Sequence, residues 1–355
     1  MRQSIYVAIM AGGAGTRFWP ASVKEKPKQF LDVLGTGSSL LEETFKRFRT
    51  FVPAEQIRVV SGEKYSGLIK EQLKVDQQSI IPEPMMRNTA AAVALTAFEI
   101  SHEDPDAIIV MTPADHLIQN RRAFEEVILK CTDFAAHKDS LITLGIQPHS
   151  PHTGYGYIKK GSPENGLFQV ERFTEKPNEA LAAEFVESGD YFWNAGIFVW
   201  SAKSILRAFF EHAIEIYNPL AGLFRKGKPN LRDLREVYQT LPSISVDYAI
   251  MEKAESVYLC PADFGWSDLG SWNTIYELSE KDKTQNSAGQ SPIVALESRG
   301  NLIRGQKDKL YTLIGMEGMG IVDTGEVLII FPLSKDQDVK KMVEEVRKQF
   351  GDKYD

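Results

Sequence analysis

The chain has 355 residues, with 41 Lys+Arg against 48 Asp+Glu for a net charge of −7, and 43% apolar and 25% charged residues. This profile excludes intrinsic disorder, collagen and coiled coil, and supplies enough apolar material for a core that needs no disulfide or metal staple. The acidic balance argues against nucleic acid or an anionic membrane as the main partner and leaves room for a local basic pocket that binds phosphates.

Two cysteines, Cys131 and Cys260, lack C-x-x-C spacing and fit a reducing compartment, the cytoplasm. No apolar run reaches the ~18 residues of a membrane span. The N-terminal Ile5–Ala14 reads as a buried strand entering a glycine turn rather than as a signal peptide.

Along the first half, Ile5–Met10, Ile57–Ser61, Ala107–Met111 and Leu141–Leu144 read as buried strands, and Ser39–Arg49, Asn88–Ser101 and Arg122–His137 as helices. Ser38 or Ser39 caps the first helix, whose Leu40, Leu41, Thr44, Phe45 and Phe48 share one face. The alternation predicts an α/β sheet with ligands at the strand C-terminal ends. From Tyr155 onward, extended segments (Tyr155–Lys160, Leu167–Phe173, Gly196–Trp200) and helices near Asn178–Ser188 and Ala202–His212 suggest an added substrate-binding lobe.

Lys281–Ser291 is polar, without apolar period, and reads as a linker. Beyond it, Ile293–Glu297, Asn301–Arg304, Lys309–Ile314, Gly320–Asp323 and Val327–Phe331 are short strand candidates before a helix, Asp336–Gln349; no long-period repeat is evident. This divides the chain at 1–280 and 281–355. A β-rich piece of this size gains little from its own core and is expected to mediate subunit contact, as a homodimer.

The run Ala11-Gly12-Gly13-Ala14-Gly15-Thr16-Arg17-Phe18-Trp19-Pro20 follows the first strand, and its glycines let backbone N–H groups approach an anion. A dinucleotide fingerprint fails: counted from Gly13 and Gly15, its third glycine position is Phe18, and Pro20 and Pro27 interrupt the helix it should open. No Walker A loop occurs. Arg17 offers a planar fork and Lys28, fixed behind Pro27, a point charge for triphosphate oxygens; the rival is an ordinary solvated basic loop.

Asp115, after an apolar strand and a Thr-Pro turn, and Asp268, between Trp266 and Trp272, are either caps and turn residues or the two carboxylates with which Mg²⁺ is commonly held beside phosphates. Asn88 and Thr89 can cap the Ala-rich helix. Asp247 either caps a helix Tyr248–Lys253 or joins a binding pocket. The histidines form no zinc pattern and no G-x-S-x-G elbow is present.

With Lys26-Pro27-Lys28-Gln29-Phe30 downstream, G-G-x-G-T-R-x-x-P resembles the sugar-nucleotide pyrophosphorylases. Within them the chain is most similar to those that make GDP-mannose. The resemblance runs on through Pro82–Ala90, Pro113–His116, Thr153–Ile158, Glu175-Lys176-Pro177, Asn194–Phe198 and Gly265–Trp272. It departs from the family pattern at Met319-Gly320, where branched apolar residues are usual, and at Glu326, where Asp is commoner.

The resemblance implies a Rossmann-like, GT-A-like nucleotidyltransferase with a mixed sheet flanked by helices on both faces, plus a small β-helix-like C-terminal module. It implies transfer of GMP from GTP to mannose 1-phosphate, giving GDP-mannose and pyrophosphate. It assigns the nucleotide to Ala11, Gly12, Gly13, Gly15, Thr16, Arg17, Glu83, Asn88 and Thr89. The sugar goes to Gly154, Glu175, Asn194 and, on the pocket reading, Asp247. Arg17, Lys28 and Lys176 are the catalytic cations, and Asp115 and Asp268 the Mg²⁺ ligands. Another sugar phosphate or base on the same fold, or a silent sugar-nucleotide-binding subunit, are the alternatives.

Overall fold

The computed structural model describes residues 4–13 and 15–354, and of Thr16 only the backbone; Ala14 of the glycine turn lies outside the described residues. The strands are β1 (Ile5–Met10), β2 (Ile57–Gly62), β3 (Ile80–Glu83), β4 (Ile108–Pro113), a two-residue β5 (Leu117–Ile118), β6 (Leu141–Ile146), β7 (Tyr157–Glu164), β8 (Leu167–Thr174), β9 (Tyr191–Ser201), β10 (Val257–Ala262), a two-residue β11 (Trp266–Ser267), β12 (Ile293–Leu296), β13 (Leu302–Arg304), β14 (Tyr311–Ile314), β15 (Met319–Asp323) and β16 (Leu328–Pro332). The helices are α1 (Leu40–Phe48), α2 (Ser66–Leu73), α3 (Asn88–Glu103), α4 (Arg121–His137), α5 (Glu179–Ser188), α6 (Ala202–His212), α7 (Ile214–Phe224), α8 (Leu231–Thr240), α9 (Trp272–Leu278) and α10 (Val339–Phe350).

Packing groups these elements differently from the expected division at 280/281. One unit holds residues up to Ala11, Phe45–Pro113 and Ile118–Trp266; the other holds Gly12–Thr44, Ala114–Leu117 and Ser267–Asp355. The physical reason is a shared core: Phe18, Trp19, Leu40 and Trp272 are buried in the same cluster as Val322, Phe331, Val339 and Val343. The glycine turn and the C-terminal module therefore fold as one body.

The first unit is built on a nine-stranded mixed sheet in the order β3-β2-β1-β4-β9-β6-β10-β8-β7, with β7 also pairing with β9. β1 runs parallel to β2 and β4, as buried β-branched strands joined by helical crossovers do. β9 runs antiparallel to β4 and β6. α3 is buried almost all round from Ala90 to Ile100, which its alanines permit because they let neighbouring helices approach closely. α6 and α7 pack on it.

In the second unit, Ser39 and Glu42 form a capping box at the start of α1: Glu42 N–H donates to Ser39 Oγ at 3.2 Å and Ser39 N–H to the Glu42 carboxylate at 2.7 Å. The five expected facing residues, Leu40, Leu41, Thr44, Phe45 and Phe48, are all buried.

β12 pairs parallel with β14, and β13 with β15, at the same offset: Ile293 beside Tyr311 and Leu302 beside Gly320, eighteen residues on in each case. This is a short parallel coil of β-helix type. Its repeat escaped detection because too few turns occur to show a period.

Lys281–Ser291, expected as a linker, is instead packed. Asn286 and Ser287 are buried, and Asp282 Oδ1 accepts the N–H groups of Thr284 and Asn286. Asn286 and Asn301 stack inside the coil, with Asn301 Nδ2 donating to Asn286 Oδ1 at 2.9 Å and to Met316 O at 2.9 Å. Internal asparagines satisfying backbone groups replace the apolar period that a sequence reading looks for.

Gly320 lies opposite Phe331, whose ring covers it, so that departure makes room for an aromatic. Nothing in the structure explains Glu326. Among the described residues no helix is long and apolar enough to cross a membrane.

Candidate active site

The second unit contains a cavity of about 330 Å³ whose lining includes Gly15, Arg17, Lys28, Asp115, Asp268 and Lys340. Lys28 is its centre. Pro27 starts the short helical turn Lys28–Phe30, and the Lys28 side chain is only 7% exposed. Its ammonium donates to Asp115 Oδ2 at 2.8 Å, to the Asp268 carbonyl at 2.8 Å and, more weakly, to the Asp115 carbonyl at 3.5 Å, and lies 5.1 Å from the Phe18 ring centre.

Gly15 makes this approach possible. Its φ is +57°, and a Cβ there would stand 2.8 Å from Lys28 Cβ and 3.1 Å from Lys28 N. Arg17 is exposed and donates to the Gly270 carbonyl at 3.3 Å.

Burial alone would raise the Asp115 carboxyl; the Lys28 ammonium overrides it and holds the group below its ordinary range. Asp115 is thus an ion-paired carboxylate, and Asp268 is not a helix cap, since α9 is capped by Ser271, whose Oγ accepts from Thr274 N–H. Lys28 thus joins the Asp115 carboxylate to the Asp268 backbone, and both aspartates line the cavity. His116 and Phe18 complete the wall and were given no role by the sequence, although His116 sits in the Pro113–His116 motif.

The first unit carries a second polar constellation. Asn194 on β9 is its hub: Oδ1 accepts from Thr143 Oγ1 at 2.9 Å and from Gly196 N–H at 3.0 Å, and Nδ2 donates to Asp247 Oδ1 at 2.9 Å. It sits where the β6/β9 register shifts between Thr143 and Gly145, an irregularity of the kind that re-aims side chains.

Asp247 therefore joins this group. Its segment is a π-turn, Asp247–Met251, in place of the expected α-helix from Tyr248. Glu175 reaches the same place because Gly156 has no side chain; a Cβ there would lie 2.5 Å from Glu175 Oε2. Lys176, at φ +47°, pairs with Glu175 and keeps its ammonium largely exposed. Burial, then the neighbouring Glu175 charge, push the Asp247 carboxyl up to about 6. Gly154, expected to offer its backbone to a sugar, donates its N–H to His152 Nδ1 at 3.1 Å.

A third group gathers around Glu83 at the end of β3. Burial pushes its carboxyl up to about 7, with Tyr238 Oη, 3.3 Å away, pulling the other way. Arg87 braces α8 by donating to the carbonyls of Tyr238 and Gln239. Asn88 adopts φ +62° and accepts the Thr89 N–H, while Thr89 Oγ1 accepts the Val246 N–H. Neither caps α3 as expected: the helix starts behind Arg87 with no side-chain cap, and Thr89 instead ties α3 to the Val246 segment. Ala11 N–H donates to Val60 and its carbonyl accepts from Ser61 Oγ, so that N–H is committed to the protein. Gly12 and Gly13 are exposed.

A cavity lined by Arg17, Lys28 and Lys340 together with Asp115 and Asp268 has a composition suited to phosphate groups. Residues 6–285 match the family model described as nucleotidyl transferase, and residues 291–346 match the mannose-phosphate isomerase/GMP-like β-helix domain. The chain belongs to the nucleotidyl transferase family.

It is 37% identical over 347 residues to a mannose-1-phosphate guanylyltransferase of Salmonella muenchen, covering 95% of this chain and 72% of that protein. It is 35% identical over 351 residues to the alginate biosynthesis protein AlgA of Pseudomonas putida, covering 96% and 71%. The crystal structure of a mannose-1-phosphate geranyltransferase from Thermus thermophilus superposes with a TM-score of 0.88 at 30% identity, covering 97% of this chain and 100% of that one.

The Glu83 carboxyl gives a pH-dependent stability with a definite sign. The folded state keeps its proton up to about pH 7, whereas the unfolded chain releases it near the ordinary 4.5. Between these values the folded state binds more protons, so stability falls as pH rises. Thermal melts at pH 5 and pH 8 are expected to show Glu83→Gln losing less stability than wild type over that interval, by up to about 3 kcal/mol. Equal losses in the two proteins would contradict the assignment.

Proposed function

We propose that this protein transfers GMP from GTP to α-D-mannose 1-phosphate, forming GDP-mannose and pyrophosphate. The observation that carries this reading is the 37% identity to the Salmonella muenchen enzyme over 95% of this chain.

A phosphate oxygen of the sugar phosphate attacks the α-phosphorus of GTP, and the bond to the β-phosphate breaks as pyrophosphate leaves. The sugar phosphate is already anionic at neutral pH, so no general base is required. Catalysis is then positioning and charge neutralisation.

Arg17 and the backbone of Gly12, Gly13, Gly15 and Thr16 serve the nucleotide phosphates. Lys28 holds Asp115 and the Asp268 backbone in position beside them. Glu83, Asn88 and Thr89 serve the base. Glu175, Asn194 and Asp247 meet sugar hydroxyls, where each unpaired buried group would cost ~1–3 kcal/mol and so discriminates between sugars. Lys176 takes the sugar phosphate. Asp115 and Asp268 would hold Mg²⁺, which when bound offsets phosphate charge. Two buried, unbridged thiols, Cys131 and Cys260, support a cytoplasmic setting.

Pyrophosphate release from purified protein, four nucleoside triphosphates crossed with several hexose 1-phosphates, tests the reading. GTP with mannose 1-phosphate is expected to give the highest kcat/KM and to lose turnover when Mg²⁺ is chelated. Preference for UTP, dTTP or CTP, or no turnover with any pair, contradicts it.

We further infer a homodimer formed through the parallel coil. Val294 and Leu296 on β12 and Ile314 on β14 are exposed by 51%, 60% and 75%, and Leu296 pairs with Ile314, giving a contiguous apolar strip. Light scattering of Leu296→Asp/Ile314→Asp is expected to give half the mass of wild type. An unchanged mass, or a monomeric wild type, overturns the dimer.

A further inference from the structure

Lys340 is a lining residue of the anion cavity, yet it comes from the C-terminal helix, far from every motif of the sequence. Its position is fixed by packing. α10 lies against the turn Thr16–Phe18, and Val339, the residue before Lys340, is buried with Phe18 and Trp19. At the other end, Trp19 Nε1 donates to the Tyr354 carbonyl at 2.8 Å, tying the chain's last turn to the same loop.

The charge pattern of the helix singles out this lysine. Lys341 pairs with Asp338 and Lys348 with Glu345, each within 2.8 Å, whereas Lys340 has no ion-pair partner among the described residues. It stands in the first turn of α10, which contains no acidic residue. A cation in the first turn gains nothing from the helix dipole, so the helix itself, with Asp338 at its N-cap position, does not explain this lysine.

The cavity also needs such a cation. The Lys28 ammonium is committed to Asp115 and the Asp268 carbonyl, so the exposed lining cations are Arg17, which donates to the Gly270 carbonyl, and Lys340. Outgoing pyrophosphate is the most densely charged species in the reaction.

Resting on the nucleotidyl-transfer reading above, we propose that Lys340 is a substrate-binding residue that contacts the pyrophosphate moiety of the nucleoside triphosphate. The C-terminal module thereby contributes directly to the anion cavity.

The test runs the reaction in reverse, with GDP-mannose and pyrophosphate as substrates. Lys340→Gln is expected to raise KM for pyrophosphate about tenfold, the loss of one charged hydrogen bond, while KM for GDP-mannose and the melting temperature stay at wild-type values. Lys340→Arg is expected to keep most of the affinity. A pyrophosphate KM within twofold of wild type in Lys340→Gln overturns the proposal. So does an equal rise in both KM values with a lowered melting temperature, which marks a structural role.

If wild type itself does not turn over, the activity reading fails and not this one. Calorimetric titration of wild type and Lys340→Gln with inorganic tripolyphosphate then decides Lys340: about tenfold weaker binding in the variant supports the contact, and equal binding or none in either protein overturns it.

Discussion

A buried ammonium must find acceptors, and that requirement shapes the second unit. Lys28 meets it with Asp115, 87 positions away, and with the Asp268 carbonyl, 240 positions away. Removing one member of such an ion pair strands the other charge, so Lys28 ties these three segments together. The glycine turn, the Asp115 loop and the start of the C-terminal module are consequently one body despite their separation in sequence.

The same constraint separates two roles for cations in the cavity. Lys28 is buried and satisfied within the protein, and its effect on chemistry is to fix the two carboxylate-bearing segments. Arg17 and Lys340 are exposed residues of the cavity lining. In the first unit the corresponding principle is a saturated polar network: Asn194 uses both atoms of its amide, and Asp247 is raised to about 6 by burial and by Glu175. A hydroxyl-rich ligand entering such a network must match its donors and acceptors, which is a basis for selectivity.

Much of this was legible in the sequence, for identifiable reasons. β1, α6 and the five strands of the C-terminal coil fall close to their expected bounds because β-branched runs and helical periods are local signals. The Glu175, Asn194 and Asp115 positions stand out because each is a polar residue two positions from a glycine or proline, namely Pro177, Gly196 and Pro113.

What escaped was non-local. No sequence pattern reveals that Asn286 and Asn301 satisfy a coil from within, that Gly156 vacates space for Glu175, or that Val339 joins the core of Phe18 and so delivers Lys340. The expected linker at Lys281–Ser291 fails for the same reason: its polar residues point inward, against the ordinary partition.

The most direct measurement is a double-mutant cycle on Lys28→Gln and Asp115→Asn, read in both denaturant stability and kcat for GTP with mannose 1-phosphate. If the pair organises the cavity, each single variant loses about 10²–10³-fold in kcat and is destabilised, and the double variant is no worse than the weaker single in either readout. Additive effects, or near-normal turnover in Lys28→Gln, would contradict the account.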